Sequence, residues 1–114
     1  MVNAMPLQAI PVSPPSVAAQ FALLADPLRL MIVESLAREQ LCTCHLIAIT
    51  GAKQTTISNH LRILREADVV HSEAEGRFTW YRLAPGVFAD VLTTLQDITR
   101  GGVSAPRLRA ACAP

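Results

Sequence analysis

A chain of 114 residues with 51% hydrophobic and 17% charged side chains fits one domain with a modest core, and its mean hydropathy of +0.33 predicts apolar surface that a second copy would cover. No apolar run is long enough to cross a bilayer and the N-terminus lacks the order of a signal peptide, which argues against a membrane protein and predicts a cytoplasmic one. The net charge of +1 does not by itself announce a nucleic-acid binder, and three cysteines, an odd number, argue against a disulfide framework and leave metal binding, redox chemistry or burial.

Residues 1–15 hold Pro6, Pro11, Pro14 and Pro15 without a helical period and read as a flexible N-terminal arm. Ser16 is placed to cap a short helix through Ala25, with Val17, Phe21 and Leu24 at helical spacing. So short a helix must pack against something larger. Asp26-Pro27 reads as an N-cap followed by proline in the first turn, where its missing N–H costs nothing. That second helix runs to about Arg38, burying Leu28, Ile32 and Leu36 with Met31 beside them. Arg29, Glu34 and Arg38 are expected in solvent, without a role.

A third, short helix should begin near Cys44, capped by Thr43 and ended by Gly51. From about Lys53 to Ala67 the periodicity is strong: Ile57, Leu61 and Leu64 recur at i, i+4 and i+7 and face the core. The opposite face presents Thr55, Ser58, Asn59 and Arg62, with Lys53 and Gln54 at the helix start. Short hydrogen-bonding side chains and a guanidinium are the groups that read base edges and hold phosphates. Between Glu39 and Glu66 there is no carboxylate, while Lys53, Arg62 and Arg65 supply positive charge. Phosphate contact needs such a stretch, although the charges alone suit an ordinary solvated face equally well.

Val69-Val70 leads into a strand, Glu75-Gly76 supplies a turn, and RFTWYRL returns with Phe78, Trp80 and Arg82 on one face and Arg77, Thr79 and Tyr81 on the other. A two-stranded ribbon after the helices is a wing, and Arg77 at its tip is placed to reach phosphate or minor groove; a simple edge hairpin packed on the helices is the plainer alternative. A last helix is predicted from Pro85 to about Arg100, with Val87, Val91, Leu95 and Ile98 on one side and Phe88 and Leu92 adjoining. With the 17–25 helix, this broad apolar face is the expected homodimer surface. Gly101-Gly102 is expected to end the helix, leaving 101–114 as a flexible tail that carries Cys112. The expected organisation is therefore an arm (1–15), a folded domain (16–100) and a tail (101–114).

The order of these elements, with ALLADPLRLMIVESL, QLCTCHL, TTISNHLRILREADVV and GRFTWYRLAP, resembles the ArsR/SmtB family of winged-helix metalloregulators over roughly residues 17–86. The resemblance implies a mainly α winged helix-turn-helix of order α-α-α-α-β-β-α, homodimeric, that binds an inverted-repeat operator in double-stranded DNA until an inducer arrives. It also implies base- and phosphate-contacting roles at Gln54, Thr55, Ser58 and Asn59, the last a position where many members have His or Arg.

Cys42 and Cys44 are the expected trigger. On a regular helix residues i and i+2 point apart, but at a helix entrance both sulfurs can converge, the helix N-terminus favours thiolate, and thiolates select soft ions. QLCTCHL looks like the ELCVCDL segment of the family's arsenite sensors, whose trivalent arsenic takes three sulfurs. A further cysteine that some of those sensors carry is Ile47 here, which leaves Cys112 as the third thiol. The expected ligand set is Cys42, Cys44 and Cys112, for As(III) or Sb(III), within one subunit or across the dimer. The alternatives are Zn(II) or Cd(II) with His45 beside the pair, a thiol-redox switch, or a winged-helix module that binds protein. The family's zinc site on the last helix falls on Pro85, Val87, Ile98 and Gly101, none a usable side-chain ligand, and His60 and His71 read as helix-flank and wing residues. Neither a phosphate-binding glycine loop nor a spaced carboxylate pair supports an enzyme.

Overall fold

The computed structural model describes residues 16–112, so the arm predicted over 1–15 lies outside the described residues. The elements are α1 (Val17–Leu24), α2 (Pro27–Leu36), β1 (Leu41–Cys42), α3 (Thr43–Thr50), α4 (Gln54–Glu66), β2 (Val70–Glu75), β3 (Phe78–Leu83) and α5 (Ala89–Ser104). None of these helices is long and apolar enough to cross a membrane.

The local signals for the first two helices operate as predicted. The Ser16 hydroxyl accepts from the Ala19 N–H at 3.1 Å. Asp26 Oδ1 accepts from Leu28 N at 2.9 Å and Arg29 N at 3.0 Å, with Pro27 in the first turn of α2. These bonds, the Arg29 N–H first, hold the Asp26 carboxyl below its ordinary pKa. Of the α2 stripe, Ile32 and Leu36 are buried and Leu28 partly so, whereas Met31 lies exposed, a correction to the sequence reading.

Gly51 ends α3 in the left-handed region at φ 74°, and its N–H returns to the Ile47 carbonyl at 2.8 Å. The chain then enters α4, whose Ile57, Leu61 and Leu64 are at most 1% exposed. Each contributes about 1.5–3 kcal/mol of apolar burial, which seats α4 on Ile32, Leu36, Leu46, Val69 and Val70. Asp68, at φ 60°, turns the chain out of α4, and the Val69 N–H reaches back to the Leu64 carbonyl at 3.0 Å.

The sheet has three antiparallel strands in the order β1-β3-β2, not two. Residues 41 and 42 are extended and pair with β3, Leu41 opposite Tyr81 and Cys42 opposite Trp80. The β2–β3 hairpin closes with Glu75 opposite Phe78, so Gly76-Arg77 forms the turn, one residue later than predicted. The last helix departs further from expectation. Pro85-Gly86 makes a turn, with Gly86 at φ 64° and the Val87 N–H bonded to the Ala84 carbonyl at 3.3 Å, and α5 begins only at Ala89. It then continues through Gly101-Gly102 to Ser104 instead of stopping there.

The buried Gln20 side chain of α1 donates to the carbonyl of Val87, in the turn that precedes α5, at 2.9 Å. On the outside, Phe21, Leu92, Leu95 and Ile98 are all exposed.

Candidate DNA interface and thiol site

Because the apolar stripe of α4 is fully seated, its opposite face must look outward, and Lys53, Gln54, Thr55, Ser58, Asn59 and Arg62 are all exposed. Arg77, at the wing turn, is exposed as well. The outward groups are not independent. Arg62 donates to Asn59 Oδ1 at 2.6 Å and pairs with Glu66 at 3.3 Å, so the guanidinium links groups about two turns apart on the exposed face. Lys53 is the N-cap residue and its side chain makes no cap bond, leaving the ammonium unused by the helix.

The thiols lie at the entrance of α3. Cys42 ends β1 in extended backbone (φ −88°, ψ 167°) and is the N-cap of α3, while Cys44 is the second residue of that helix. Thr43 is thus the first helical residue, not the cap. The cap is closed instead by His45, whose Nδ1 accepts from the Cys42 N–H at 3.0 Å. With Nδ1 accepting, the ring proton of neutral His45 sits on Nε2, so neither nitrogen offers a free lone pair to a metal in this arrangement, which weakens the sequence-based zinc alternative. The His45 ring also lies 5.7 Å from Trp80, fixing it against the sheet.

Cys42 is 4% exposed and Cys44 is open to solvent. Burial above all, and then the charges of Cys44 and Glu75, push the Cys42 thiol above its ordinary pKa, against the thiolate expected from a helix entrance. Both cysteines line one cleft of about 310 Å³, together with Ile47, Gln54, Arg77 and Phe78. The cleft therefore joins the thiol pair to the start of α4 and to the wing tip. Sequence reasoning missed Phe78 as a wall of this cleft and His45 as its brace; the spacing of His45 three residues after the N-cap was the available signal.

Cys112 is exposed on the segment after α5 and is not among the residues lining the cleft. Among the described residues of one chain, no three His, Cys, Asp or Glu side chains converge as metal ligands. His60 lies on the flank of α4 with its Nδ1 3.2 Å from an Arg29 guanidinium nitrogen, and His71 is exposed on β2, consistent with their sequence reading. Arg29 is a correction: it is partly buried and bonded, not simply solvent-facing.

Comparison with known proteins bears on this arrangement. Residues 26–72 match the family model described as bacterial regulatory protein, arsR family. A transcriptional repressor SmtB homolog of Synechocystis is 41% identical over 81 residues, 68% of this chain and 61% of that protein. The cadmium resistance transcriptional regulatory protein CadC of Listeria innocua is 40% identical over 59% of this chain and 57% of its own length. The match thus spans about three-fifths of the length of these curated relatives. A solved structure described as a possible transcriptional regulator for arsenical resistance is 33% identical and superposes with a TM-score of 0.62, over 69% of this chain and 82% of that one. Two further relatives, 32% and 30% identical, are covered over 89% and 73% of their length. With an exposed polar face on α4, a wing beside it and these matches, the chain belongs to the ArsR family of winged helix-turn-helix transcriptional regulators.

Proposed function

We propose that the protein is a cytoplasmic, homodimeric repressor that holds an inverted-repeat operator in its inducer-free state and releases it when As(III) or Sb(III) is captured by Cys42, Cys44 and Cys112. The observation that carries this reading is the shared cleft: the two thiols, the first turn of α4 at Gln54 and the wing tip at Arg77 border one space. A change at the sulfurs is therefore felt where DNA would be held.

In the DNA-bound dimer, the two α4 helices enter successive major grooves about 34–36 Å apart. Gln54, Thr55, Ser58 and Asn59 face base edges, while Lys53, Arg62 and Arg77 meet phosphate. The donor set of the cleft fits a soft ion, because two thiols stand within it and hard oxygen ligands do not converge there. Two sulfurs leave a trigonal site incomplete, and Cys112 is the remaining thiol of the chain. Its recruitment, from the same subunit or the other, would draw the segment after α5 over the cleft and favour a dimer geometry that no longer spans two grooves. A coupling of about 1–3 kcal/mol already changes operator affinity about 5–150-fold.

The names of the relatives include cadmium as well as arsenical regulators, so the ion is decided by experiment. Operator binding is followed by fluorescence anisotropy under reducing conditions while arsenite, Cd(II), Zn(II) or, separately, an oxidant is added. Arsenite should release the wild type, Cys42→Ser or Cys44→Ser should abolish release, and Cys112→Ser should weaken it. An unchanged response in Cys112→Ser removes that thiol from the site. Release by Cd(II), Zn(II) or oxidant alone overturns the arsenic assignment in favour of that trigger, and failure to bind any inverted repeat at low salt overturns the repressor reading.

A further inference from the structure

Arg29 is the one residue of α2 whose side chain touches both neighbouring helices through hydrogen bonds among the described residues. Its Nε donates to the Leu23 carbonyl at 2.9 Å, in the last turn of α1, where carbonyls have no intrahelical partner. Another guanidinium nitrogen lies 3.2 Å from His60 Nδ1, on the flank of α4. With this geometry the ring nitrogen accepts and the remaining proton sits on Nε2. Arg29 is itself held at its backbone, since its N–H donates to Asp26 Oδ1 at 3.0 Å. One planar, multi-donor group therefore joins the α1–α2 corner to α4, and a lysine with a single nitrogen has no such fork.

The place of His60 on α4 gives this contact its consequence. At 100° per residue, His60 lies about 160° around the helix from Arg62 and about 100° from Asn59. The apolar stripe of Ile57, Leu61 and Leu64 resists lifting of α4 from the core, but smooth side chains resist rolling weakly. A directional bond on the flank resists roll. A small roll of α4 displaces every outward group at once, and base-edge hydrogen bonds tolerate little displacement.

We propose that Arg29 is a positioning residue for operator recognition: through His60 it sets the roll of α4, and through Leu23 it refers that roll to α1, on which the exposed Phe21 sits. The inference rests on the reading of α4 as the DNA-reading helix. Arg29 touches no DNA in this scheme; it acts through His60.

The test uses the full chain and DNA selected from a random pool by the wild-type protein. Specific and non-specific affinities are measured as a function of salt for Arg29→Lys, Arg29→Met, His60→Leu, His60→Asn and the double variant Arg29→Met/His60→Leu, together with thermal melting. Arg29→Lys, Arg29→Met and His60→Leu should each lower specific affinity about 2–30-fold while non-specific affinity and its salt slope stay unchanged. The double variant should lose no more than the worse single one, and His60→Asn, which keeps an acceptor oxygen, should restore most of the specific affinity. Non-specific affinity falling in parallel, with a salt slope reduced by about 0.9 for each subunit of the proposed dimer, would make Arg29 a phosphate contact and overturn the proposal. So would lowered melting with specific affinity intact at temperatures where the variants are folded. A wild-type chain that enriches no sequence overturns the DNA-reading assignment along with the proposal, whereas a wild type that enriches a sequence which the variants bind equally well overturns the positioning role alone.

Discussion

In the free protein Arg62 is already engaged, with Asn59 at 2.6 Å and Glu66 at 3.3 Å, and the Arg62 and Glu66 side chains are 51% and 65% exposed. For Arg62 to reach a phosphate, the ion pair to Glu66 must open. A pair so exposed is worth about 0.2–1 kcal/mol. With one pair in each subunit of the proposed dimer, Glu66→Gln should therefore strengthen operator binding about 2–30-fold, twice that energy expressed as affinity. Removing a carboxylate near DNA also relieves plain repulsion, so the decisive comparison is a cycle. In an Arg62→Ala background, Glu66→Gln should lose most of its benefit, while Arg62→Ala alone should lower the salt slope of binding by about 1.8, about 0.9 for each subunit of the proposed dimer. Fluorescence anisotropy titrations at several salt concentrations measure all four corners. An equal gain from Glu66→Gln in both backgrounds would show that the pair is irrelevant, and an unchanged slope in Arg62→Ala would remove Arg62 from the phosphates.

The two thiols of the cleft should behave differently towards iodoacetamide followed by mass spectrometry: exposed Cys44 reacts first and buried Cys42 last, and equal rates would contradict the burial of Cys42. Since the folded state raises the Cys42 pKa, its neutral thiol contributes fully below the ordinary thiol value and the contribution is lost as pH rises through the folded one. Melting of the wild type should accordingly fall more steeply in the alkaline range than melting of Cys42→Ala; parallel curves would count against it. At the proposed dimer surface, Leu95→Asp should convert the protein to monomers in sedimentation and cost operator affinity, since Phe21, Leu92, Leu95 and Ile98 are exposed in one chain. A dimer that survives the substitution would move the interface elsewhere.

Several parts of the fold were legible from local chemistry. The Asp26-Pro27 cap, the Gly51 stop and the i, i+4, i+7 stripe of α4 are each written in a few neighbouring residues, and all stand in the structure. The outward set on α4 followed from that stripe by helical geometry alone. Other signals were ambiguous because one residue type serves two conformations. Pro85 suits a helix start and the second position of a turn equally, and Gly86 with its positive φ chose the turn. Gly101-Gly102 reads as a stop, yet each glycine costs a helix only about 1 kcal/mol relative to alanine, which is not enough to end α5.

What the sequence determined by itself was the order of helices, the outward polar face of α4 and the presence of a thiol pair at the start of α3, because these depend on spacing and capping within a turn or two. What only the tertiary structure decided was how distant groups meet. A two-residue strand has no pattern of its own, and β1 exists because β3 pairs with it, which buries Cys42 and raises its thiol. The bond from Arg29 to His60 joins residues 31 apart, and the cleft joins Cys42 to Phe78 across the sheet. Such contacts are set by how the core seats each element, and that information lies in no single stretch of the chain.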